Sequence, residues 1–191
     1  MWRVVSRFLG VKMAFLCLCV LGLGVSRASE YALHTDSKLS FKLKKFAMIS
    51  VEGTFRHFNG SLKLDENGLV SDLFVEVESN SLSTGSAKRD KKALDENFLN
   101  AQAYPKIMLK FISYTPTELK EGVQHGKFVA QLTLHGVSRQ VEFKSALNAS
   151  SNSPQLTLTG EINSKDFKIK GSMTSSREIR LNLQMKFVEY M

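Results

Sequence analysis

The stretch IRLNLQMKF, residues 179–187, alternates apolar and polar side chains without interruption. Successive side chains on a β-strand point to opposite faces, so this pattern predicts a strand with one apolar and one polar face. The same period of two recurs at residues 39–43, 73–77, 107–111, 128–134, 141–147 and 156–162. The chain is therefore predicted to be all-β.

Polar or glycine-containing stretches separate these segments, at residues 65–68, 120–122, 136–138 and 148–154. Such groups favour tight turns, so successive antiparallel hairpins are predicted. A chain of about eight strands with one apolar face each must hide that face, either by closing into a barrel or by stacking as two sheets. The periodicity alone leaves both architectures open.

Residues 87–99 depart from this alternation and suit a short helix. Leu94 and Phe98 are four residues apart, which places them on one helix face, while most of the charged residues fall on other faces. The segment lies between two predicted strands, and Pro105 marks the return to extended chain. We therefore expect this helix to cap one end of a barrel.

The first 28 residues have the order of a secretory signal peptide. Basic residues precede an uninterrupted apolar run at residues 14–25, and the small residues Ser26 and Ala28 follow it. The run is shorter than the roughly 20 residues that cross a bilayer as a helix. We predict cleavage after Ala28 and a single domain, residues 29–191, in the periplasm or outside the cell. An uncleaved membrane anchor is the alternative, given Arg27 beside the predicted cleavage site.

Composition limits the classes of partner. Removal of 28 of the 191 residues leaves 163, enough for one domain with a substantial core. Four of the 26 basic residues are lost with the first 28, so 22 bases face 18 acids, a net charge of +4. Basic residues mostly alternate with apolar ones along strands, whereas a nucleic-acid surface would cluster them with exposed aromatics. Nucleic-acid binding is therefore not predicted. Both cysteines, Cys17 and Cys19, precede the predicted cleavage site, so no disulfide is predicted in the mature protein.

The usual catalytic signatures are missing from the sequence: Gly-x-Ser-x-Gly, His-Glu-x-x-His and a glycine-rich phosphate loop. The carboxylates of the predicted helix are more simply explained as a solvated surface than as an acid–base pair. The four histidines are scattered without metal-ligand spacing; they are His34, His57, His125 and His135. We therefore predict a protein without catalysis, cofactor or metal, with His135 as a turn residue.

Four groups of residues, in order along the chain, resemble the signature of the YceI-like family. The central group is Arg89-Asp90 with NFLN at 97–100 and YPKI at 104–107. The others are GTF at 53–55 with FNG at 58–60, LTLHGV at 132–137, and Ile162-Asn163 with Asp166-Phe167. The resemblance extends over essentially the whole chain after residue 28.

This resemblance implies an extended, lipocalin-like antiparallel β-barrel with a short capping helix, commonly a periplasmic homodimer. It also implies an apolar tunnel that binds long-chain isoprenoid or fatty amphiphiles, such as polyprenyl phosphates and quinones. Family members often have histidines where this chain has Asp36 and Lys45, and arginine and glycine where it has Ser164 and Lys168. We therefore expect this chain to recognise the polar headgroup of its ligand differently.

The function expected is a periplasmic binding protein or carrier for such an amphiphile, without catalysis. Arg89 is expected to tie the helix to the barrel or to face a ligand headgroup. The other candidate ligand-binding residues share inward parity on their strands or lie on the helix. The full set is Phe41, Phe55, Val75, Arg89, Phe98, Ile107, Leu109, Phe111, Leu134, Phe143, Leu181 and Leu183. Two other classes remain open: a solid β-sandwich for adhesion or assembly, and a periplasmic enzyme with a lipid substrate.

Overall fold

The computed structural model describes residues 29–45, 48–149, 152–171 and 175–189, so the predicted signal peptide lies outside the described residues. The first strands are β1 (Ser29–Leu33), β2 (Lys38–Lys45), β3 (Ile49–Phe55), β4 (Phe58–Leu64), β5 (Val70–Glu78) and β6 (Leu82–Ser83). Helix α1 (Ala87–Ala93) follows, and then β7 (Lys106–Lys120), β8 (Val123–Leu134), β9 (Val137–Asn148), β10 (Gln155–Asn163) and β11 (Ser175–Glu189). Two single 3₁₀ turns lie at Ser79–Ser81 and Ser164–Phe167.

The strands of the described region close into an antiparallel barrel. Neighbouring strands follow the order β1-β4-β5-β7-β8-β9-β10-β11, and a β1–β11 pairing closes this ring of eight. Strands β2, β3 and β6 extend the wall, because β2 pairs with the same β11 as β1, β3 pairs with β2, and β6 pairs with β3. The predicted all-β, lipocalin-like barrel is confirmed, and two stacked sheets are excluded.

β1 and β2 behave as one strand with a kink between them. At the kink, the Ser37 hydroxyl donates to the Lys186 carbonyl at 3.3 Å and accepts from the Lys186 N–H at 3.0 Å. The side chain therefore replaces the backbone pairing that is interrupted between the two strands. The kinked strand can follow β11 along most of its length.

Helix α1 is shorter than the predicted 87–99. It ends at Ala93, and the chain then folds back through turns. The Leu99 N–H donates to the Ala93 carbonyl at 3.0 Å, and Asn100, with a left-handed φ of 45°, donates to the Asp95 carbonyl at 3.0 Å. The rest of the segment therefore covers the barrel as a loop, because the reversal brings Phe98 and Leu99 onto the barrel interior.

His135 lies in the turn between β8 and β9, as predicted, with a left-handed φ of 52°. Its Nδ1 is 3.1 Å from the Phe167 carbonyl oxygen, and its ring centroid is 4.7 Å from that of Tyr104. The turn is thus held against both the loop after α1 and the 3₁₀ turn after β10.

The alternating chain direction gives the barrel two distinct ends. We call hollow end the one that carries the β2–β3 hairpin, residues 84–105, the β8–β9 turn and the β10–β11 connection. We call packed end the one that carries the turns at 65–69, 121–122 and 149–154. Within the described ranges, no helix is long and apolar enough to cross a membrane.

Candidate ligand cavity

The hollow end of the barrel contains an apolar cavity of about 170 Å³. Inward side chains of β2, β5, β7, β8, β9, β10 and β11 form its wall. Ala93 at the end of α1 and Phe98 and Leu99 in the loop after it form its cover. The predicted role of this segment as a cap is therefore confirmed, and the cap is also part of the cavity lining.

Ten of the twelve candidate residues line this cavity. They are Phe41, Phe55, Val75, Phe98, Ile107, Leu109, Leu134, Phe143, Leu181 and Leu183. The fold brings them together although they are up to 142 positions apart in the chain, because nine occupy the inward parity of their strands and Phe98 reaches the cavity from the loop after α1. Their contact with a ligand stays a prediction.

Arg89 lies away from the cavity. Its guanidinium donates to the Thr84 carbonyl at 2.9 Å and to the Thr84 hydroxyl at 3.2 Å. Asp90 accepts from the same residue, from its hydroxyl at 2.6 Å and its N–H at 2.7 Å. Both residues therefore tie α1 to the segment after β6, which was the first of the two roles expected for Arg89.

Phe111 also lies outside the cavity lining. It keeps the inward parity of Ile107 and Leu109, but it lies further toward the packed end, opposite Ala130 on β8. Its ring meets that of Phe128 edge-on, with centroids 5.5 Å apart. The side chain therefore packs against the barrel core, because parity gives the face of a strand and not the level along the barrel.

The cavity has further lining residues that the sequence pattern did not predict individually. Leu39, Leu43, Leu132, Ile162 and Ile179 share the parity of the chosen residues, so the alternation signal was sufficient to find them. Leu82, Ala93, Leu99 and Ile169 lie on short or irregular segments, where no period of two exists. Only the folded arrangement identifies this second group.

Ser40 is the one polar residue among the described residues that border the cavity, and its position between Leu39 and Phe41 gives its side chain the outward parity of β2. Its hydroxyl donates to the Asn182 carbonyl on the neighbouring β11 at 2.9 Å. The hydroxyl hydrogen is therefore already used within the wall. The lining favours hydrocarbon, and in the described region it presents no acid, base or nucleophile to a bound molecule.

Two phenylalanines of the wall lie directly opposite glycines on the next strand. Phe41 pairs with Gly53, and Phe143 pairs with Gly160. A Cβ atom at Gly160 would lie 2.6 Å from Cδ1 of Phe143, and one at Gly53 would overlap the Phe41 ring. The missing side chains thus let both rings lie against the wall, which keeps the centre of the cavity open.

The carboxylates with shifted pKa values lie outside the cavity. The hydrogen bond from the Thr84 hydroxyl holds the pKa of Asp90 below its usual value. The Lys106 ammonium, 2.7 Å from Glu76, lowers the pKa of that carboxylate in the same way. Among the described residues, no group of three potential ligands is arranged to hold a metal ion.

The packed end contrasts with the cavity. Along β11, Leu181 and Leu183 line the cavity, whereas Met185 and Phe187 are fully enclosed by other side chains. The same change occurs along β8, from Leu134 to Phe128. The barrel is therefore hollow over only part of its length.

Comparison with known proteins agrees with this architecture. Residues 31–187 match the family model of the YceI-like domain. A UPF0312 protein of Yersinia enterocolitica is 30% identical over an alignment of 176 residues that covers 86% of this chain and 89% of that protein. The family model spans nearly the whole described region.

Two solved structures illustrate the likeness in fold. The Campylobacter jejuni YceI protein superposes with a TM-score of 0.68 at 22% identity, covering 78% of this chain and 90% of that one. A polyisoprenoid-binding domain from Saccharophagus degradans superposes with a TM-score of 0.66 at 14% identity, covering 86% and 100%. With its barrel, its four sequence motifs and this match over residues 31–187, the chain belongs to the YceI-like family.

Proposed function

We propose that this protein is a binding protein or carrier that holds the hydrocarbon part of a long-chain isoprenoid or fatty amphiphile, without catalysis. The observation that carries this proposal is the apolar cavity inside the closed barrel. Among the described residues, Ser40 is the one polar residue that borders it, and its hydroxyl is hydrogen-bonded to the neighbouring strand. The shared fold of the polyisoprenoid-binding domain from Saccharophagus degradans supports the same ligand class.

The cavity volume favours long chains over short ones. A cavity of about 170 Å³ is close in size to apolar cavities that hold one benzene-sized group. Burial of roughly six carbons at about 0.8 kcal/mol each gives about 5 kcal/mol, near the lower bound of about 4 kcal/mol for the cost of association. Useful affinity therefore requires contacts with additional carbons beyond this cavity, which a long hydrocarbon chain provides.

The polar headgroup of such a ligand stays outside the cavity. Burial of an unpaired polar group in an apolar wall is unfavourable by several kcal/mol. Polyprenyl phosphates, quinones and fatty acids all satisfy this arrangement, since each joins a polar head to a long apolar chain. An enzyme that acts on such a lipid would have to place its catalytic groups outside this apolar lining.

The predicted export of the protein is part of the proposal. Loss of residues 1–28 would leave a chain that begins at Ser29 and resides in the periplasm or outside the cell, as a monomer or homodimer. Intact-mass measurement of the exported protein tests this directly. A mass that retains residues 1–28 in a membrane fraction contradicts it.

Tryptophan fluorescence tests the ligand site, because the chain has a single tryptophan, Trp2, in the predicted signal peptide. Leu181→Trp places a reporter at the cavity, and Ile112→Trp places one at a position exposed on the outside of β7. A long-chain quinone, which quenches tryptophan emission, should quench the first delipidated variant saturably and the second only weakly.

Phe55→Trp is a second cavity reporter in case the larger ring at 181 fills the cavity. Equal quenching of the cavity and surface reporters would contradict the proposal, as would no quenching of either cavity reporter. Mass spectrometry of an organic extract of the native protein then identifies the bound chain. An unmodified amphiphile in that extract supports binding, and recovery of a hydrolysed or oxidised product on incubation supports an enzyme.

A further inference from the structure

The connections at the two ends of the barrel differ in charge. Residues 84–105 and 164–171, at the hollow end, contain seven basic and four acidic side chains. They are Lys88, Arg89, Lys91, Lys92, Lys165, Lys168 and Lys170, with Asp90, Asp95, Glu96 and Asp166. The described connections at the packed end contain three acids and no base, namely Asp65, Glu66 and Glu121. The counted connections are therefore net basic at the hollow end and acidic at the packed end.

The hollow end also carries exposed apolar side chains. Met48 and Ile49, at the start of β3 in the β2–β3 hairpin, are 88% and 58% exposed. The nearby Lys44 is exposed as well. Large apolar side chains at the surface of a hairpin, flanked by lysine, form the combination that binds at the interface of an anionic membrane.

We propose that the hollow end docks on an anionic lipid surface, with Met48 and Ile49 in the interface and the surrounding lysines on the lipid phosphates. Neither signal is sufficient alone, because weak apolar insertion and weak electrostatic attraction hold a protein at a membrane only in combination. Both signals lie at the same end of this barrel.

A second copy of the chain is a poorer occupant of this surface. A two-fold dimer places the same patch of each subunit against the other. Lys44, Lys168 and Lys170 are exposed around this end, so such a dimer would bring like charges together. An anionic lipid surface is complementary in charge to the same residues.

The docked orientation has a consequence for the cavity. Its lining includes Leu43, two residues before the end of β2, Ile169 in the β10–β11 connection, and Ile179 near the start of β11. The hairpin and this connection both belong to the end that would face the lipid. The hydrocarbon chain of a ligand could then pass between the membrane and the cavity with little exposure to water. This consequence rests on the proposed function, whereas the docking itself does not.

Vesicle sedimentation tests the docking with exported protein whose mass begins at Ser29. The probes are vesicles of equal parts phosphatidylglycerol and phosphatidylcholine, and vesicles of phosphatidylcholine alone. We expect binding to the phosphatidylglycerol-containing vesicles to be at least about tenfold stronger than to phosphatidylcholine alone. Added salt should weaken this binding, because the screening length is roughly 10 Å at 0.1 M ionic strength and attraction between exposed charges falls beyond it.

The variants separate the two signals. Met48→Ser with Ile49→Ser, and separately Lys168→Gln with Lys170→Gln, should each lower binding to the anionic vesicles about fivefold or more. Leu119→Ser is the matched control, because Leu119 is 70% exposed but lies next to the packed-end turn at 121–122. Its binding should equal that of the parent. Circular dichroism and thermal midpoints check that all three variants keep the fold.

The docking is overturned if the parent binds neither kind of vesicle, if it binds both equally, or if Leu119→Ser loses as much as the hairpin variant. It is also overturned in favour of a second copy if the hairpin variant abolishes dimerisation in sedimentation but leaves vesicle binding unchanged. Quenching of Leu181→Trp by quinone without vesicles is measured separately. Vesicle binding without that quenching would keep the docking and reject the proposed function.

Discussion

The hollow and packed ends of this barrel are built from the same strands with the same alternation, yet only one of them is filled. At the packed end, Leu62, Leu156, Leu158 and Phe187 have no exposed surface. At the hollow end, two phenylalanine rings lie back against glycines and the remaining inward residues leave a gap. Alternation thus decides which side chains point inward, and the sizes of those that meet at one level decide whether the interior is filled.

The difference has a cost in stability. An unfilled apolar cavity destabilises a protein by roughly 24 cal/mol per Å³, so about 170 Å³ corresponds to about 4 kcal/mol. This is a large share of the 5–15 kcal/mol that is typical of a domain. A hydrocarbon chain bound in the cavity would restore part of this free energy of unfolding, as expected for a ligand-binding cavity.

The largest effect is expected from one substitution made at both ends. Leu156→Ala, at a fully buried packed-end position, should lower the free energy of unfolding of delipidated protein by about 3–5 kcal/mol, because it opens a new cavity. Leu181→Ala should lower it by no more than about 1–2 kcal/mol, because that side chain already borders empty space. Urea unfolding measures both.

Phe111→Ala provides an independent check of the same comparison. Because its ring packs against Phe128, it should behave as a packed-end variant and cost about 3 kcal/mol. Long-chain amphiphile should stabilise this variant as much as the parent. Similar losses for Leu156→Ala and Leu181→Ala would mean that the two ends do not differ in packing.

A smaller effect is expected from alanine at two glycines that face aromatic rings. At Gly126, near the packed end, a Cβ would lie 2.6 Å from Tyr114 and 2.7 Å from the Thr115 carbonyl oxygen, which is backbone and cannot move easily. At Gly53 it would meet only the Phe41 ring, which can move into the cavity. We expect Gly126→Ala to cost about 3 kcal/mol and Gly53→Ala about 1 kcal/mol.

Ligand affinity should show the opposite order for this pair. In Gly53→Ala, the displaced Phe41 ring would occupy cavity space that the hydrocarbon chain of the ligand needs. Affinity for a long-chain quinone should therefore fall severalfold. Gly126→Ala should keep the parent's affinity, since Gly126 lies outside the cavity lining. Calorimetric titration of both delipidated variants makes the measurement, and unchanged affinity in Gly53→Ala would show that this glycine does not set the free space.

Sequence alternation was sufficient for the strands and for most of the cavity wall. Ile179 to Phe187 alternates without exception, and the structure places this run in the long strand β11. Closure into a barrel depended on the family resemblance, because two stacked sheets hide an apolar face equally well. The kinked β1–β2 strand was not predicted, since the hydroxyl of Ser37 replaces a backbone pairing that only the folded chain reveals.

The level of a residue along the barrel could not be predicted. Phe111 and Leu109 share one parity on one strand, but Leu109 borders the cavity and Phe111 meets Phe128. Their neighbours come from strand registers that no local pattern specifies. For the same reason, the charged and exposed apolar groups of the hollow end come together only in the fold.

A smaller effect should appear at alkaline pH through the packed end. The hydroxyl of Tyr114 is buried with no partner at hydrogen-bonding geometry among the described residues. Burial raises its pKa, and the Ser145 side chain opposes this rise to a smaller extent. A raised pKa favours the neutral phenol in the fold. Its contribution to stability is therefore present below the unfolded pKa of about 10 and is lost as the pH rises through the folded pKa.

Tyr114→Phe removes this titration. The urea midpoint of the parent should fall more steeply than that of Tyr114→Phe above pH about 10, whereas at pH 7 the variant should be at least as stable, because it removes an unpaired buried hydroxyl. Lysine titration affects both proteins equally, so the difference between them is the quantity to follow. Parallel midpoints across the alkaline range would contradict the assignment.

The smallest effect should appear at acid pH through the cover of the hollow end. The Thr84 hydroxyl lowers the pKa of Asp90, so the ionised carboxylate is favoured in the fold. This contribution is fully present above the unfolded pKa of about 3.9 and is lost as the pH falls through the lower folded pKa. Because Asp90 is near solvent, the loss should loosen the cover and leave the barrel folded.

Hydrogen exchange of the Leu94 amide, which donates to the Asp90 carbonyl at 3.1 Å, reports on this segment. At pH 6 the amide should be better protected in the parent than in Asp90→Ala, and the difference should shrink below pH about 4. Glu142→Gln, which removes an exposed partner of Lys127 on the outer wall, should leave this amide unchanged at every pH. A difference between parent and Asp90→Ala that persists undiminished into acid would show that the charge of Asp90 does not hold the cover.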